Sequence, residues 1–203
     1  MIWFKGNRDH LLHFLPKGGV GAEVGTRKGR FAYKMCKVLT PKKLTLIDPW
    51  RQQPADEYPE IINTEDAEQE GFYQEVLKHF SDLIAAGTVE IMRELSSTAL
   101  PKLPDNSLDW IYIDGNHRFA CVLSDLTQAY RIVKDDGLIM GHDWDELCSY
   151  GVIAAGLTFL RTHPELELSV ITRDIHWPPS FIIARRDVSA ALQQRIVEAG
   201  WAI

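Results

Sequence analysis

The chain lacks the features that mark several protein classes. It has three cysteines in 203 residues, scattered at Cys36, Cys121 and Cys148, with no CxxC pair. An odd, dispersed set argues against a disulfide framework and against zinc-finger spacing, and reads as reduced, buried thiols. No apolar run reaches the length of a membrane span; the longest, near residues 151–160, falls well short. The first residues, Met1 to Arg8, lack the shape of a signal peptide. A cytoplasmic location with no membrane partner is therefore expected. An excess of positive charge is also missing. The 22 Lys and Arg against 28 Asp and Glu give a formal net charge of −6, which argues against nucleic acid as a partner. There is no internal repeat and no low-complexity tract. What remains is an ordinary globular composition, 45% hydrophobic and 25% charged, long enough for one domain over residues 1–203 with a full core.

Apolar runs alternate with helical patterns, which signals a parallel α/β sheet. Strands are expected at 19–24, 44–47, 89–92, 108–113 and 138–140. Helices are expected at 28–39, 71–86 and about 150–161, with Val122, Leu126, Ala129 and Val133 marking one face of another. Gly87 caps the second helix, and Asp136-Gly137 turns the chain into the fifth strand. Two later strands, at 167–171 and 180–184, form an antiparallel end to the sheet, and 188–199 reads as a final helix. The expected class is α/β: a Rossmann-like, doubly wound, mostly parallel seven-stranded sheet with an antiparallel end strand. Residues 51–70 break the rhythm with Pro54, Pro59 and seven carboxylates. They follow a strand's C-terminal end, so they read either as a solvated loop or as a lid over the ligand edge.

The dinucleotide fingerprint G-x-G-x-x-G is absent too. In its place stands Glu23-x-Gly25-x-x-x-Gly29, a strand end, a glycine turn and a helix start. Gly19 and Gly21 precede the strand's end, where they cannot hold a pyrophosphate. An acid directly before the turn repels phosphate and favours an ammonium group. A nucleotide-dependent oxidoreductase is accordingly disfavoured. Asp48 closes the next strand, Asp114 the fourth, and His142-Asp143 the fifth. Polar residues at four strand ends point to a ligand with a ribose at one end and positive charge at the other. S-adenosylmethionine has that chemistry.

The ordered set of motifs resembles the class I S-adenosylmethionine-dependent methyltransferases over roughly residues 18–145. The nearest shape is the small group with catechol and macrocin-type sugar O-methyltransferases. The matching pieces are Ala22-Glu23-Val24-Gly25-Thr26-Arg27-Lys28-Gly29, Ile47-Asp48-Pro49-Trp50 and Ser96-Ser97. They continue with Leu108 to Ile113, Asp114-Gly115-Asn116-His117, and Gly137 to Trp144 with its Gly141-His142-Asp143. The resemblance implies that Glu23 holds the methionine amino end, that Gly25 and Thr26 let the backbone approach the cofactor, and that Asp48 accepts the ribose hydroxyls. It puts Ser96 or Ser97 on the adenine edge and Asp114 beside the cofactor. Two bland alternatives stand next to these: Asp48 as a turn cap before Pro49, and Trp50 as core instead of an adenine cover.

Two carboxylates and two imidazoles converge where strands four and five end, which describes a metal site, an acid–base site or both. A sulfonium methyl is already activated, so the acceptor hydroxyl is what needs help, from a base or from a cation. The resemblance makes His117 the base and Asp114 and Asp143 metal ligands, with His142 added to the metal set. An imidazole ligand suits manganese, iron or zinc better than magnesium, which fits if His142 turns aside. Magnesium or manganese is the expected ion. His117 as a solvated helix-start residue and Asp143 as a helix cap are the structural alternatives. His10, His13, His79, His163 and His176 show no ligand spacing, and 176–179 is read as a wall of the acceptor pocket or a hairpin turn. The expected function is methyl transfer to a small-molecule hydroxyl. The alternatives are a metal-independent N- or C-methyltransferase and a non-catalytic cofactor-binding domain. Trp3 and Phe4 are taken as exposed and as packing on this chain or on a second copy, which would make a homo-oligomer.

Overall fold

Strands whose two faces are both apolar must be covered on both sides, and this chain supplies helices to do so. The structure is a computed structural model, and it describes residues 1–145, 151–174, 176 and 178–203. In chain order the elements are β1 (Ile2–Lys5), α1 (Arg8–Leu11), β2 (Val20–Val24), α2 (Arg30–Leu39), β3 (Lys43–Ile47), α3 (Asp66–His79), α4 (Ser81–Ala85) and β4 (Val89–Met92). They continue with α5 (Ser96–Ala99), β5 (Leu108–Ile113), α6 (Phe119–Ile132), β6 (Val133–Gly141), α7 (Val152–Thr162), β7 (Leu166–Arg173), β8 (Phe181–Arg185) and α8 (Arg186–Glu198). Among the described residues the strands form one sheet in the order β1-β7-β8-β6-β5-β2-β3-β4.

Alternation along each strand feeds two cores. Trp110, Tyr112, Leu138 and Met140 face one side with Phe31, Met35, Phe72, Val76 and Leu192. Ile111, Ile113 and Ile139 face the other with Val122, Leu126, Val152 and Phe159. This is the doubly wound arrangement expected, because a strand buried on both faces needs a helix layer against each. A Cβ on Gly21 would stand 2.3 Å from the Trp110 ring. That glycine therefore serves packing of the β2–β5 pair, consistent with excluding it from a phosphate loop.

Several details differ from the sequence reading. The sheet has eight strands, because the N-terminal segment adds β1 in parallel to β7. The antiparallel strand is β8, which pairs β6 on one side and β7 on the other, so it lies inside the sheet's end. The helix expected from residue 28 starts at Arg30, after Gly29 adopts φ 68° at its cap. The helix expected at 71–86 begins at Asp66 and breaks at Phe80, whose φ of −105° and ψ of 10° leave the helical region. Val133 is not the last turn of α6: it is extended and opens β6. Residues 134–137 then bulge out between the Leu108–Val133 and Trp110–Leu138 pairs. The expected Cys148 thiol, Tyr150 and Trp177 lie outside the described residues, while Cys36 and Cys121 are free and partly buried. No described helix is long and apolar enough to cross a membrane.

Trp3 is 39% exposed, but Phe4 is fully buried. Its ring stacks on Trp201 at 5.3 Å, so the start of the chain packs against its own C-terminus. Phe4→Ala is expected to cost about 3 kcal/mol through the cavity it leaves. A urea titration reads this as a lowered midpoint at constant slope. A change below about 1 kcal/mol would mean that β1 stands outside the cooperative core.

Candidate active site

Parallel strands bring their C-terminal ends to one edge of the sheet, and β2, β3, β5 and β6 end there in Glu23, Asp48, Asp114 and His142-Asp143. Glu23, Gly25, Thr26, Asp48, Ser96, Ser97, Asp114, His117, His142 and Asp143 all line one cleft of about 1270 Å³. The size suits a nucleoside-sized ligand with an acceptor beside it.

At the β2 end, Glu23 is 2% exposed, and its Oε2 has no hydrogen-bond partner among the described residues. Burial pushes its carboxyl up to about 8, reinforced by the nearby charges of Asp114 and Asp48 and opposed by Thr26 and Arg8. An orphaned buried carboxylate oxygen facing a cleft fits a cationic ligand group. Gly25 follows with φ 85°, and a Cβ there would stand 1.9 Å from the Asp114 carbonyl oxygen. The turn is thus pressed against the end of β5, and only glycine permits that approach.

Asp48 is already engaged: Oδ2 accepts from the Arg27 N–H at 2.8 Å and Oδ1 from the Trp50 N–H at 2.7 Å. Both donors sit on residues with positive φ. The capping reading is therefore realised, and a ribose would use the carboxylate's remaining lone pairs. Burial raises the Asp48 carboxyl, against those two N–H donors. Trp50 is 1% exposed, and its Nε1 donates to the Arg27 carbonyl at 2.7 Å. It is core. Ser96 and Ser97 open α5 on the far side of the cleft. Beside them Asp125, missed by sequence reasoning, is buried on α6 and pushed up to about 6 by burial, against a hydrogen bond from Ser96. Its signal was an acid on the apolar face of α6, next to Leu126.

The reacting end is a network of acids around two imidazoles. His117 Nδ1 lies 2.9 Å from both oxygens of Glu60, and Nε2 lies 2.9 Å from Asp143 Oδ2. Asp114 Oδ1 is 3.6 Å from His117 Nε2 and from His142 Nδ1. Burial alone would lower the His117 pKa, but hydrogen bonds to Asp114, Asp143 and Glu60 overcome it and push the ring up to about 12. Without an ion these acids favour the protonated ring, and a metal ion at Nε2 would take the place of that proton. The same contacts hold Asp143 well below the usual carboxylate range despite its burial.

Ligand atoms of Asp114, His117 and Asp143 lie within 4.8 Å of one another. The sequence expectation put His142 in this set and kept His117 apart as the base; the trio takes in His117, while His142 Nδ1 stands equally near, 2.9 Å from Asp143 Oδ2 and 3.6 Å from Asp114 Oδ1. Asp143 adopts φ 57°, which brings its Oδ2 to 2.9 Å from His142 Nδ1, so His142 orients a member of the trio. Glu60 was not singled out by sequence reasoning. It belongs to the acidic 51–70 segment, which lies over the cleft and is tied to the loop after β5. Asn116 Nδ2 donates to the Glu57 carbonyl at 3.1 Å, and Arg118 donates to that of Asp56. Residues 66–70 of the segment are the first turns of α3. His10, His13, His79, His163 and His176 stand outside the cleft, and of residues 176–179 Pro178 lines it.

Among solved structures, three similar folds illustrate the likeness. A methyltransferase of Streptococcus mutans in complex with SAH is 10% identical, with 87% of this chain and 94% of that one covered at a TM-score of 0.60. A protein of Clostridium thermocellum described as an rRNA methylase is 13% identical, with 87% and 92% covered at 0.59. A SAM-dependent methyltransferase of Aquifex aeolicus is 18% identical, with 86% of each chain covered at 0.58. At these identities the likeness is one of fold. No curated protein matches the chain in sequence. The family model described as a methyltransferase domain matches residues 22–144. The chain therefore belongs to the methyltransferase-domain family, and its activity is S-adenosylmethionine-dependent methyl transfer.

Proposed function

We propose that the chain transfers the methyl group of S-adenosylmethionine to a hydroxyl of a small molecule, with a divalent cation held by Asp114, His117 and Asp143. The observation that carries this reading is the arrangement around His117. One ring nitrogen faces the cluster and the other is clamped by the Glu60 carboxylate, the pattern by which proteins orient a metal-binding imidazole. Two carboxylates and one imidazole fit manganese better than magnesium. When bound, the cation acidifies an acceptor hydroxyl beside it and holds that hydroxyl in line with the methyl. Glu23 takes the donor's ammonium, Gly25 gives the donor room, Asp48 takes the ribose, and Ser96 or Ser97 meets the adenine edge. The 51–70 segment covers the cleft and limits water. His117 as the expected base fits less well beside this ion, since a neutral imidazole that gives its Nε2 lone pair to a cation, and its other nitrogen to Glu60, has none left to accept a proton.

A formal charge of −6 supports a small acceptor over nucleic acid. Phe4 packs within this chain, one of the two alternatives given for it. Calorimetry with Mn²⁺ on the purified protein, with activity before and after exhaustive chelation, tests the metal. Mn²⁺ binding and loss of turnover on chelation are expected; full activity after chelation contradicts it. Glu60→Gln is expected to weaken Mn²⁺ about ten- to a hundredfold while leaving S-adenosylmethionine affinity unchanged. Unaltered Mn²⁺ binding would remove Glu60 from the site.

A further inference from the structure

Arg8 follows β1, which runs parallel to β7 and so ends at the same edge of the sheet as β2, β3, β5 and β6, and its side chain lies in the cleft. The placement is built. Phe4 anchors β1, and Asn7 caps α1 by accepting the Asp9 N–H at 3.0 Å and the His10 N–H at 3.4 Å. Lys34 of α2 pairs with Asp9. The guanidinium lies 4.4 Å over the Phe31 ring. Its Nη1 donates to Asp114 Oδ2 at 2.7 Å and to the Tyr112 hydroxyl at 3.3 Å.

Only one corner of the fork is used in this way. Nε and Nη2 have no hydrogen-bond partner among the described residues, and the side chain is 28% exposed, to the cleft it lines. Glu23, with its vacant Oε2, lines the same end, and the Arg8 charge is close enough to draw the Glu23 carboxyl down against burial. A free carboxylate oxygen and a free guanidinium edge at one end of a cleft complement a zwitterion, an ammonium and a carboxylate on one carbon. The methionine end of the methyl donor is such a group.

We propose that Arg8 binds the α-carboxylate of S-adenosylmethionine while Glu23 takes its α-ammonium, so that the two residues clamp the amino-acid end of the donor. The inference rests on the reading of Glu23 given above. It makes the N-terminal segment part of the cofactor site, beyond the span of the matching family model.

Calorimetry with S-adenosylmethionine and its decarboxylated analogue tests it on the wild-type protein and on Arg8→Met, which keeps the aliphatic stem. The wild type is expected to bind the analogue about ten- to a hundredfold more weakly than the donor. Arg8→Met should bind the donor as weakly as the wild type binds the analogue, and bind the analogue no more weakly than before. Arg8→Lys, charged but without the fork, should fall between. Equal affinity of the wild type for both ligands would overturn the proposal with no variant needed. So would an Arg8→Met protein that melts normally yet loses both ligands to the same extent, since Arg8 would then act through Asp114. A wild type that binds neither ligand would instead overturn the cofactor reading beneath it.

Discussion

Replacing Glu23 by Gln is expected to weaken S-adenosylmethionine binding on the order of a hundredfold or more, because the ligand's buried ammonium loses its counter-charge. The pH dependence gives the same residue a second signature. Burial pushes the Glu23 carboxyl up to about 8, against 4.5 for an exposed one. The unfolded chain therefore gives up this proton first. The stability that Glu23 contributes is full below about 4.5 and is lost as the pH climbs toward 8, at most about 1.4 kcal/mol per pH unit. Donor binding runs in the opposite direction. The ammonium needs the ionised carboxylate, so affinity rises as the pH is raised from about 6 toward 8, by up to about tenfold per unit. In Glu23→Gln both slopes flatten. Calorimetry and urea titrations at matched pH values read the two effects. A native protein whose donor affinity is level across that window would contradict the assignment of Glu23.

Gly25→Ala should be at least as damaging, for a geometric reason. The residue holds φ 85°, and the added methyl would stand 1.9 Å from the Asp114 carbonyl oxygen, a backbone atom that cannot swing away. Left-handed strain and overpacking together are expected to cost about 4 kcal/mol. The Gly25 N–H also bonds the Ile47 carbonyl at 2.9 Å, so displacing the turn pulls on β3 and on Asp48 beyond it. Thermal melting should fall by several degrees, and donor binding should be lost even where the protein still folds. A variant with native stability and native affinity would mean that the turn is free to relax and does not set the shape of the pocket.

The strand-end residues were legible because parallel topology does most of the work. Once Glu23, Asp48, Asp114 and Asp143 are each placed at the end of a strand, the sheet brings them to one edge whatever the loops do. What escaped depends on paths and directions that periodicity does not encode. Glu60 is one of seven acids in an irregular segment, and nothing local distinguishes the one that reaches His117. Arg8 meets Asp114 across 106 positions of sequence, through a β1 strand too short to stand out. His117 stands as close to Asp143 and Asp114 as His142 does, and no residue type announced that it would share the acidic cluster. Asp48 shows the limit in the other direction. Its cap role and its ribose role were weighed as rivals, yet a carboxylate with four lone-pair sites can serve both.

The account depends on the donor lying along the carboxyl edge of the sheet. A crystal structure of the protein grown with S-adenosylhomocysteine tests this most directly. The expected result places the amino-acid end against Glu23 and Arg8, the ribose at Asp48, and the adenine by Ser96 and Ser97. Density for the ligand elsewhere, or in this cleft with its amino group turned away from Glu23, would contradict it.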